Sequence, residues 1–248
     1  MKFITNIIKN SSKNISFVAN EIKKGKVVAL PTETVYGLAG RFDNDKTIQK
    51  IFKIKDRPLY NPLIIHYKNL EKAKNDVVIN NNFIKLYNTL CPGPITFILK
   101  KKISSKISSI ATAKKNTVAI RFPKHKVAQK LLGLLAVPLA APSANISSRL
   151  SPTSSTDVIE EFKNKIKFVL DGGKSKIGLE STIVDLTNIP KILRPGSVTP
   201  KKISNILKKK VKIDVKSKKI KSPGQLKFHY SPGIPVKMNK QRSSKKNE

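Results

Sequence analysis

The alternation of two hydrophobic periods along the chain limits its fold more than any other feature. Short apolar runs, closed by proline, glycine or small polar residues, interleave with segments whose apolar side chains recur at helical spacing. Val27 to Leu30, just behind Gly25, reads as a buried strand that stops at Pro31. Ile48, Ile51 and Phe52 repeat at helical spacing behind Asn44 and Asp45, which can cap, and Pro58 ends that helix. "PLIIHY" (62–67), Ile95 to Leu99, "TVAIRFP" (117–123) and "VPLAA" (137–141) read as strands, as do "KFVLD", "STIVDL" and "KILRP" further on. Phe83, Tyr87 and Leu90 mark a helix broken by "CPGP", and Val127 to Leu135 marks another. Ser154 with Asp157 signs a capping box for a helix through Phe162. This order implies an α/β domain with a mixed sheet covered by helices over residues 1–210. Residues 211–248 are rich in Lys, Pro and Ser and read as a basic linker and solvated tail, with no second domain after it.

Composition narrows the chemistry. Fifty Lys and Arg against fifteen Asp and Glu give a formal net charge of +35 over 248 residues. Lysine makes up nearly all of that surplus, alongside many Ile and Asn. The pattern fits an AT-biased coding sequence with a solvated surface as well as it fits an RNA-facing patch. Arginine is scarce, so each one hints at a need for a planar, bidentate fork. The single cysteine, Cys91, excludes an internal disulfide and suits a reducing compartment. His66, His125 and His229 lie far apart without metal-ligand spacing, so no structural metal is expected. The longest apolar run, Leu131 to Pro142, is broken by Gly133 and Pro138 and is too short to span a bilayer. The expectation is a cytoplasmic chain with no membrane partner.

Polar motifs follow the predicted strands and helices, where open α/β sheets present their sites. They are "PTETVYG", "KIKDRPLYNPLIIH", "APSANISSRLSPT" and "GLESTIVD", with Arg121 from "IRFP" and Arg194 from "LRPGS". Singly each has a plain structural explanation: Ser143 and Asn145 a turn, Lys55 and Arg57 a solvated helix end, His66 a strand-edge histidine. Together they describe an anion-binding cavity. Lys55, Arg57, Arg121 and Arg194 supply charge, Ser143, Asn145 and Ser181 supply hydrogen bonds, and no acidic cluster neutralises them or holds a metal. A nucleoside triphosphate plus a carboxylate would suit such a site, yet neither a P-loop nor a dinucleotide fingerprint is present.

"PTETVYGL", "KDRPLYNPL", "PGPIT", "RFP", "APSANIS" with "SPT", "ESTIVD" and "LRPGS" occur in the order that resembles the YrdC-like family of threonylcarbamoyl-AMP synthases, over roughly residues 16–200. "SPGQLKFHYSP" is similar to the linker of the family's two-domain members. The resemblance implies a twisted mixed sheet flanked by helices, with a concave basic cavity. It implies a reaction in which L-threonine, bicarbonate or CO2, and ATP give L-threonylcarbamoyladenylate and pyrophosphate, for N6-threonylcarbamoyladenosine at tRNA position 37. Mg2+ would enter with ATP, and a downstream threonylcarbamoyl transferase would accept the product.

By the same resemblance, Lys55 and Arg57 are the catalytic candidates. Thr34, His66, Arg121, Ala141 and Ser181 would surround threonine. Arg57, Asn61, Thr117, Ser143, Asn145, Ser151, Arg194 and Tyr230 would line the ATP site, with "FHYSPGIP" folding back as a lid. Two positions depart from the family pattern: Ser148 stands for a glycine and Cys91 for a tryptophan. A non-catalytic module that holds tRNA or double-stranded RNA is the alternative function.

Overall fold

The computed structural model describes residues 4–215, 222–225 and 231. The chain opens with β1 (Asn6–Ile8), α1 (Ser12–Lys23), β2 (Val28–Leu30), β3 (Gly37–Arg41) and α2 (Asp45–Lys55). β4 (Ile64–His66), α3 (Leu70–Ala73), α4 (Asn81–Leu90), β5 (Ile95–Lys100) and β6 (Thr117–Arg121) follow. α5 (Lys126–Leu134), β7 (Leu139–Ala140), α6 (Ser155–Phe162) and β8 (Phe168–Leu170) come next, then β9 (Thr182–Asp185), β10 (Lys191–Arg194), α7 (Pro200–Leu207) and β11 (Lys212–Ile213). Local chemistry starts most of the helices. Ser11, Asn44, Asn69, Asn80, Ser154 and Thr199 each accept a hydrogen bond from the backbone N–H three residues on. The capping box of Ser154 and Asp157 is complete. α5 is the exception: His125 precedes it without a side-chain cap.

All the strands join one sheet in the order β1-β8-β2-β3-β7-β4-β6-β5-β9-β10-β11. The sheet is mixed: β4 and β6 are parallel, as are β5 and β9, whereas β2–β3, β5–β6 and β9–β10 are antiparallel. α1 and α5 cover one face through Ile15, Val18 and Ile22 against Leu131 and Leu132. The larger cluster on the other face gathers Ile48, Ile51 and Phe52 of α2, Phe83 and Leu86 of α4, Phe162 of α6, and Ile203 and Leu207 of α7. Both faces are therefore roofed, which is why most strands read as continuous apolar runs instead of alternating ones.

Several elements lie outside the sequence reading. α1 carries a clear helical stripe at Ile15, Val18, Ala19 and Ile22, and α7 begins with Thr199 as cap and Pro200 in its first turn. β1 and β11 are too short to leave a periodic signal, and β11 extends the sheet past Lys210. The largest difference is β3. The sequence reading places no strand between Pro31 and "PLIIHY", but Gly37 to Ala39 pair with Leu30 to Val28 as a tight antiparallel partner. Its glycines answer to packing: a Cβ on Gly40 would lie 2.3 Å from Thr47 Cγ2 of α2.

Register then sets the position of the site. His66 pairs with Arg121, Arg121 pairs with Thr96, and Ile95 pairs with Thr182. Gly37 bridges to Ser143. The carboxyl ends of β4 and β6 and the amino ends of β5 and β9 thus meet at one edge of the sheet.

The close approach of α2 to β3 makes a prediction. Gly40→Ala should lower stability by about 1–3 kcal/mol through overpacking. Thr47→Ser removes the offending methyl and keeps the hydroxyl that donates to the Gly25 carbonyl at 3.1 Å, so the double variant should recover most of the loss. Urea denaturation of the four proteins tests this, and equal losses in both backgrounds would contradict it.

Candidate active site

A narrow cleft, open on one side, lies at that sheet edge. Thr32, Tyr36 and Gly37 enter from the β2–β3 connection, Arg57 from the loop after α2, His66 from the end of β4 and Arg121 from the end of β6. Ala141, Pro142 and Ser143 follow β7, Glu180 and Ser181 precede β9, Arg194 ends β10, and Pro223 closes one side.

Lys55 lies behind the cleft, almost fully buried at 1% exposure. Its ammonium donates to the Ser143 carbonyl at 2.6 Å and to the Asn145 carbonyl. Burial pushes its pKa well below the usual lysine value, and the neighbouring Arg57 charge adds to that effect. Arg57 donates through Nε to the Asn61 carbonyl (2.9 Å) and through Nη2 to Asn61 Oδ1 (2.6 Å) and the Pro62 carbonyl (2.8 Å). Burial brings its pKa down to about 9, against the pull of Glu180 and with the push of Arg194.

Arg194 donates to the Ser181 carbonyl (3.0 Å), to Ser181 Oγ (3.1 Å) and to Glu180. Ser181 Oγ in turn shares a 2.7 Å bond with Thr96 Oγ1. Arg121 donates from Nη2 to Glu33 Oε1 at 2.9 Å. His66 is held neutral, its pKa pushed down to about 3 by burial first and by Arg121 second. Tyr36 anchors the β2–β3 connection by donating to the Gly173 carbonyl at 2.8 Å, and burial raises its hydroxyl to about 12. A Cβ on Gly196 would meet the Glu180 carbonyl and the Thr182 N–H at 2.6 Å each, so the glycine of "LRPGS" lets two backbones touch beside Arg194.

Of the residues singled out in sequence, Arg57, His66, Arg121, Ala141, Ser143, Ser181 and Arg194 line the cleft together. Others stand behind them. Thr34 is fully buried and bonds through its hydroxyl to Thr32, which takes its place in the lining. Asn61 is buried against Arg57, and Ser151 donates to Glu180 Oε1 at 2.8 Å. Asn145 donates to the carbonyls of Ile146 and Arg149, both at 2.8 Å, and so shapes the turn after Ser143. Thr117 opens β6 opposite Lys100. It lies four residues before Arg121, a separation of about 13 Å along the strand, and is not in the lining. Tyr230, with Phe228 and His229 of the expected lid, lies outside the described residues. Nearby, Pro223 lines the cleft and the Ser231 N–H donates to the Ser148 carbonyl at 2.8 Å. Ser148 adopts φ +74, the left-handed conformation in which glycine is unstrained, at the position where the family pattern has one.

One expectation is corrected. The sequence reading leaves the cations without acidic partners, but the structure sets Glu33 against Arg121 and Glu180 against Arg194. Both glutamates stand inside motifs already quoted, "PTETVYG" and "GLESTIVD". What hid them is that pairing across strands cannot be read from linear spacing. A guanidinium about 95% buried needs a compensating charge when no ligand supplies one.

The fold and this cleft define a class. The Sua5/YciO/YrdC family pattern, described as "Telomere recombination", matches residues 20–196, and the chain belongs to that family. It is 40% identical over 231 residues to the threonylcarbamoyl-AMP synthase of Pyrococcus abyssi, covering 90% of this chain and 66% of that protein. To the Bacillus subtilis protein of the same name it is 35% identical over 239 residues, covering 94% of this chain and 68% of that one. The crystal structure of Pyrococcus abyssi Sua5 complexed with L-threonine aligns at a TM-score of 0.87 and 38% identity, over 92% of this chain and 69% of that chain. The chain thus spans about two thirds of the length of these relatives.

The neutral His66 yields a prediction with a definite sign. The unfolded chain binds a proton on this residue near pH 6.5, whereas the folded chain resists until about pH 3. Its contribution to stability is complete above pH 6.5 and is lost as pH falls towards 3, with a slope of about 1.4 kcal/mol per pH unit. His66→Gln should flatten the stability curve in that window relative to wild type. Parallel curves from pH 7 to pH 4 would contradict it.

Proposed function

We propose that this chain is a threonylcarbamoyl-AMP synthase. It joins L-threonine, CO2 or bicarbonate, and ATP into L-threonylcarbamoyladenylate, with release of pyrophosphate. The product supplies the threonylcarbamoyl group for adenosine 37 of tRNA through a downstream transferase. The observation that carries this reading is the convergence of Arg57, Arg121 and Arg194 on one cleft that Ser143 and Ser181 also line, with Glu33 and Glu180, among the described residues, paired to Arg121 and Arg194. Three guanidinium groups in a restricted space suit two anions: an amino-acid carboxylate at Arg121 and a polyphosphate at Arg57 and Arg194. Relatives that carry the synthase name at 40% and 35% identity support the reading.

The carboxylate of threonine would lie against Arg121, near neutral His66 and the hydroxyl pair of Ser181 and Thr96. The amine attacks CO2 to give a carbamate, and a carbamate oxygen attacks the α-phosphorus of ATP as pyrophosphate leaves. Arg57 and Arg194 stabilise charge that grows on the phosphate oxygens, and the cleft holds both anions in line. Among the described residues no group of three or more His, Cys, Asp or Glu is placed to hold a metal. The guanidinium and hydroxyl donors fit phosphate oxygens, so Mg2+ would travel with ATP and offset the charge of its phosphates. Among the described residues no helix is long and apolar enough to cross a membrane, and the proposed setting is the cytoplasm. A non-catalytic RNA-binding module would have no use for the neutral pocket of His66, Ala141 and Ser181 beside Arg121.

Incubation of the purified chain with ATP, Mg2+, bicarbonate and labelled threonine tests the reading. Threonine-dependent pyrophosphate and the threonylcarbamoyl adduct are expected by mass spectrometry. Arg57→Ala should cut turnover by about 100-fold or more while keeping a cooperative melt, and wild-type turnover in that variant would remove its assigned role.

The described part of the linker adds a second expectation. Pro223 lines the cleft, and a Cβ on Gly224 would lie 2.8 Å from Arg194 Cδ, so these residues touch the proposed phosphate site. A chain ended after Val215 keeps β11 but loses these contacts, and should bind ATP about tenfold more weakly, or about 1.4 kcal/mol. Calorimetry that gives equal affinities would overturn this.

A further inference from the structure

The reaction proposed above needs a neutral amine, yet an amino acid brings an ammonium. Arg121 and Glu33 form a buried pair beside the cleft in which both charges of a zwitterion find a complement; Arg194 and Glu180 form another, at the proposed phosphate site. Glu33 is buried at 7% exposure, and its Oε1 accepts from Arg121 Nη2 at 2.9 Å. Its Oε2 is buried with no hydrogen-bond partner, and Arg121 Nε is equally unpartnered. A nearly fully buried carboxylate oxygen and guanidinium N–H, both unsatisfied and on adjoining residues, mark a site that a ligand completes.

Arg121 reaches the cleft, whereas Glu33 stands just behind it. The backbone of Glu33 is clamped, because its carbonyl accepts from Ile177 N–H at 3.0 Å and the carbonyl of Thr34 accepts from Gly178 N–H at 3.0 Å. Arg121 thus keeps an unpartnered Nε–H while its Nη2 holds Glu33 in place. The ammonium of an α-amino acid sits on the atom next to its carboxylate, so a carboxylate at Arg121 brings the ammonium towards Glu33.

We propose that Glu33 binds the ammonium of the amino-acid substrate and takes one of its protons through Oε2. This rests on the synthase reading. The N–H bond breaks, its proton passes to Oε2, and the freed nitrogen lone pair forms the N–C bond to CO2. The second nitrogen proton leaves to water, so the product is a carbamate anion and Glu33 is neutral until it returns its proton to solvent. The groups that face this pair are neutral His66 from β4, His125 from the start of α5, Cys91 from the end of α4 and, beyond His125, Lys176 from the loop before β9. Burial lowers the His125 pKa and raises the Cys91 thiol to about 12, so neither adds a charge near neutral pH.

Glu33→Gln keeps the size of the side chain and an oxygen for Arg121 but removes the basic group. Turnover should fall by about 100-fold at pH 7 and climb with pH as free amine becomes populated, whereas wild type stays nearly flat. A pH-independent loss, or wild-type turnover, would overturn the proposal. A test on the unmodified chain covers the case in which Glu33→Gln does not fold. 2,3-Dihydroxybutanoate with the configuration of threonine keeps the carboxylate and the side chain but lacks the ammonium, and should bind at least about tenfold more weakly than threonine. Equal binding of the two by wild type would overturn the inference and leave the synthase reading intact. A wild-type chain that neither binds nor consumes threonine would overturn the synthase reading, and the inference with it.

Discussion

The cleft depends on the buried ammonium of Lys55. It sits at the end of α2 and donates to the carbonyls of Ser143 and Asn145, while the Lys55 carbonyl accepts from Ser147 N–H at 2.7 Å. Three bonds thus join the end of one helix to the turn after β7. The two that the ammonium donates are worth about 1.5–3 kcal/mol each, and the backbone bond about 0.5–1.5 kcal/mol. That strength is needed, because the turn carries Ser148 in a left-handed conformation and presents the hydroxyl of Ser143 to the cleft. Asn145 completes the joint from inside, with its amide on the carbonyls of Ile146 and Arg149. The K-x-R and S-x-N motifs are therefore one structural unit: Lys55 and Asn145 build the frame, and Arg57 and Ser143 are what the frame presents.

The charges in the frame are compensated locally and incompletely. Arg194 has Glu180 and Arg121 has Glu33, while Arg57 relies on carbonyls and the amide oxygen of Asn61. Desolvation is the leading cause of the lowered values of both Lys55 and Arg57. An incoming anion relieves that cost, since its charge offsets what burial has taken away. The proposed polyphosphate would therefore be favoured by the same desolvation that lowers these values. His66 contributes by staying neutral beside Arg121, which leaves the guanidinium as the dominant charge for a carboxylate.

The strands that build the site were legible in sequence, because β2, β4, β5, β6, β9 and β10 are apolar runs closed by breakers. α2, α4, α5 and α6 were legible from periodicity and from the caps of Asn44 and Ser154. β1 and β11 span three and two residues and have no period to read. β3 was hidden because "GLAG" has glycine for two reasons that composition cannot separate, an open ligand loop or a tight face under a helix. Packing against Thr47 decides for the second. Of the side chains that line the cleft, Arg57, His66, Arg121, Ser143, Ser181 and Arg194 were singled out from residue type and motif, Ala141 from the family resemblance, and Thr32 and Tyr36 not at all. Those that reach other side chains were harder to place: Thr34 yields the lining to Thr32, and Glu33 and Glu180 acquire a role only when β6 and β10 bring arginines to them. Residue type shows what a side chain can bind, whereas its partner depends on register.

Register also explains why motifs scattered over more than 160 residues, from "PTETVYG" to "LRPGS", can share one cleft. In an all-parallel sheet only carboxyl ends of strands gather at a binding edge. Here β5 runs antiparallel to β6 and parallel to β9, so the amino ends of β5 and β9 arrive where β4 and β6 finish. Thr96 and Ser181 thereby stand beside His66 and Arg121. β10 turns back against β9 and returns Arg194 to Ser181, where one guanidinium meets the serine carbonyl, the serine hydroxyl and Glu180. The mixed sheet therefore supplies a hydroxyl side and a cationic side to the same space. The proposed reaction would use both: hydroxyls and a neutral imidazole for the amino acid, and guanidinium groups for the phosphates.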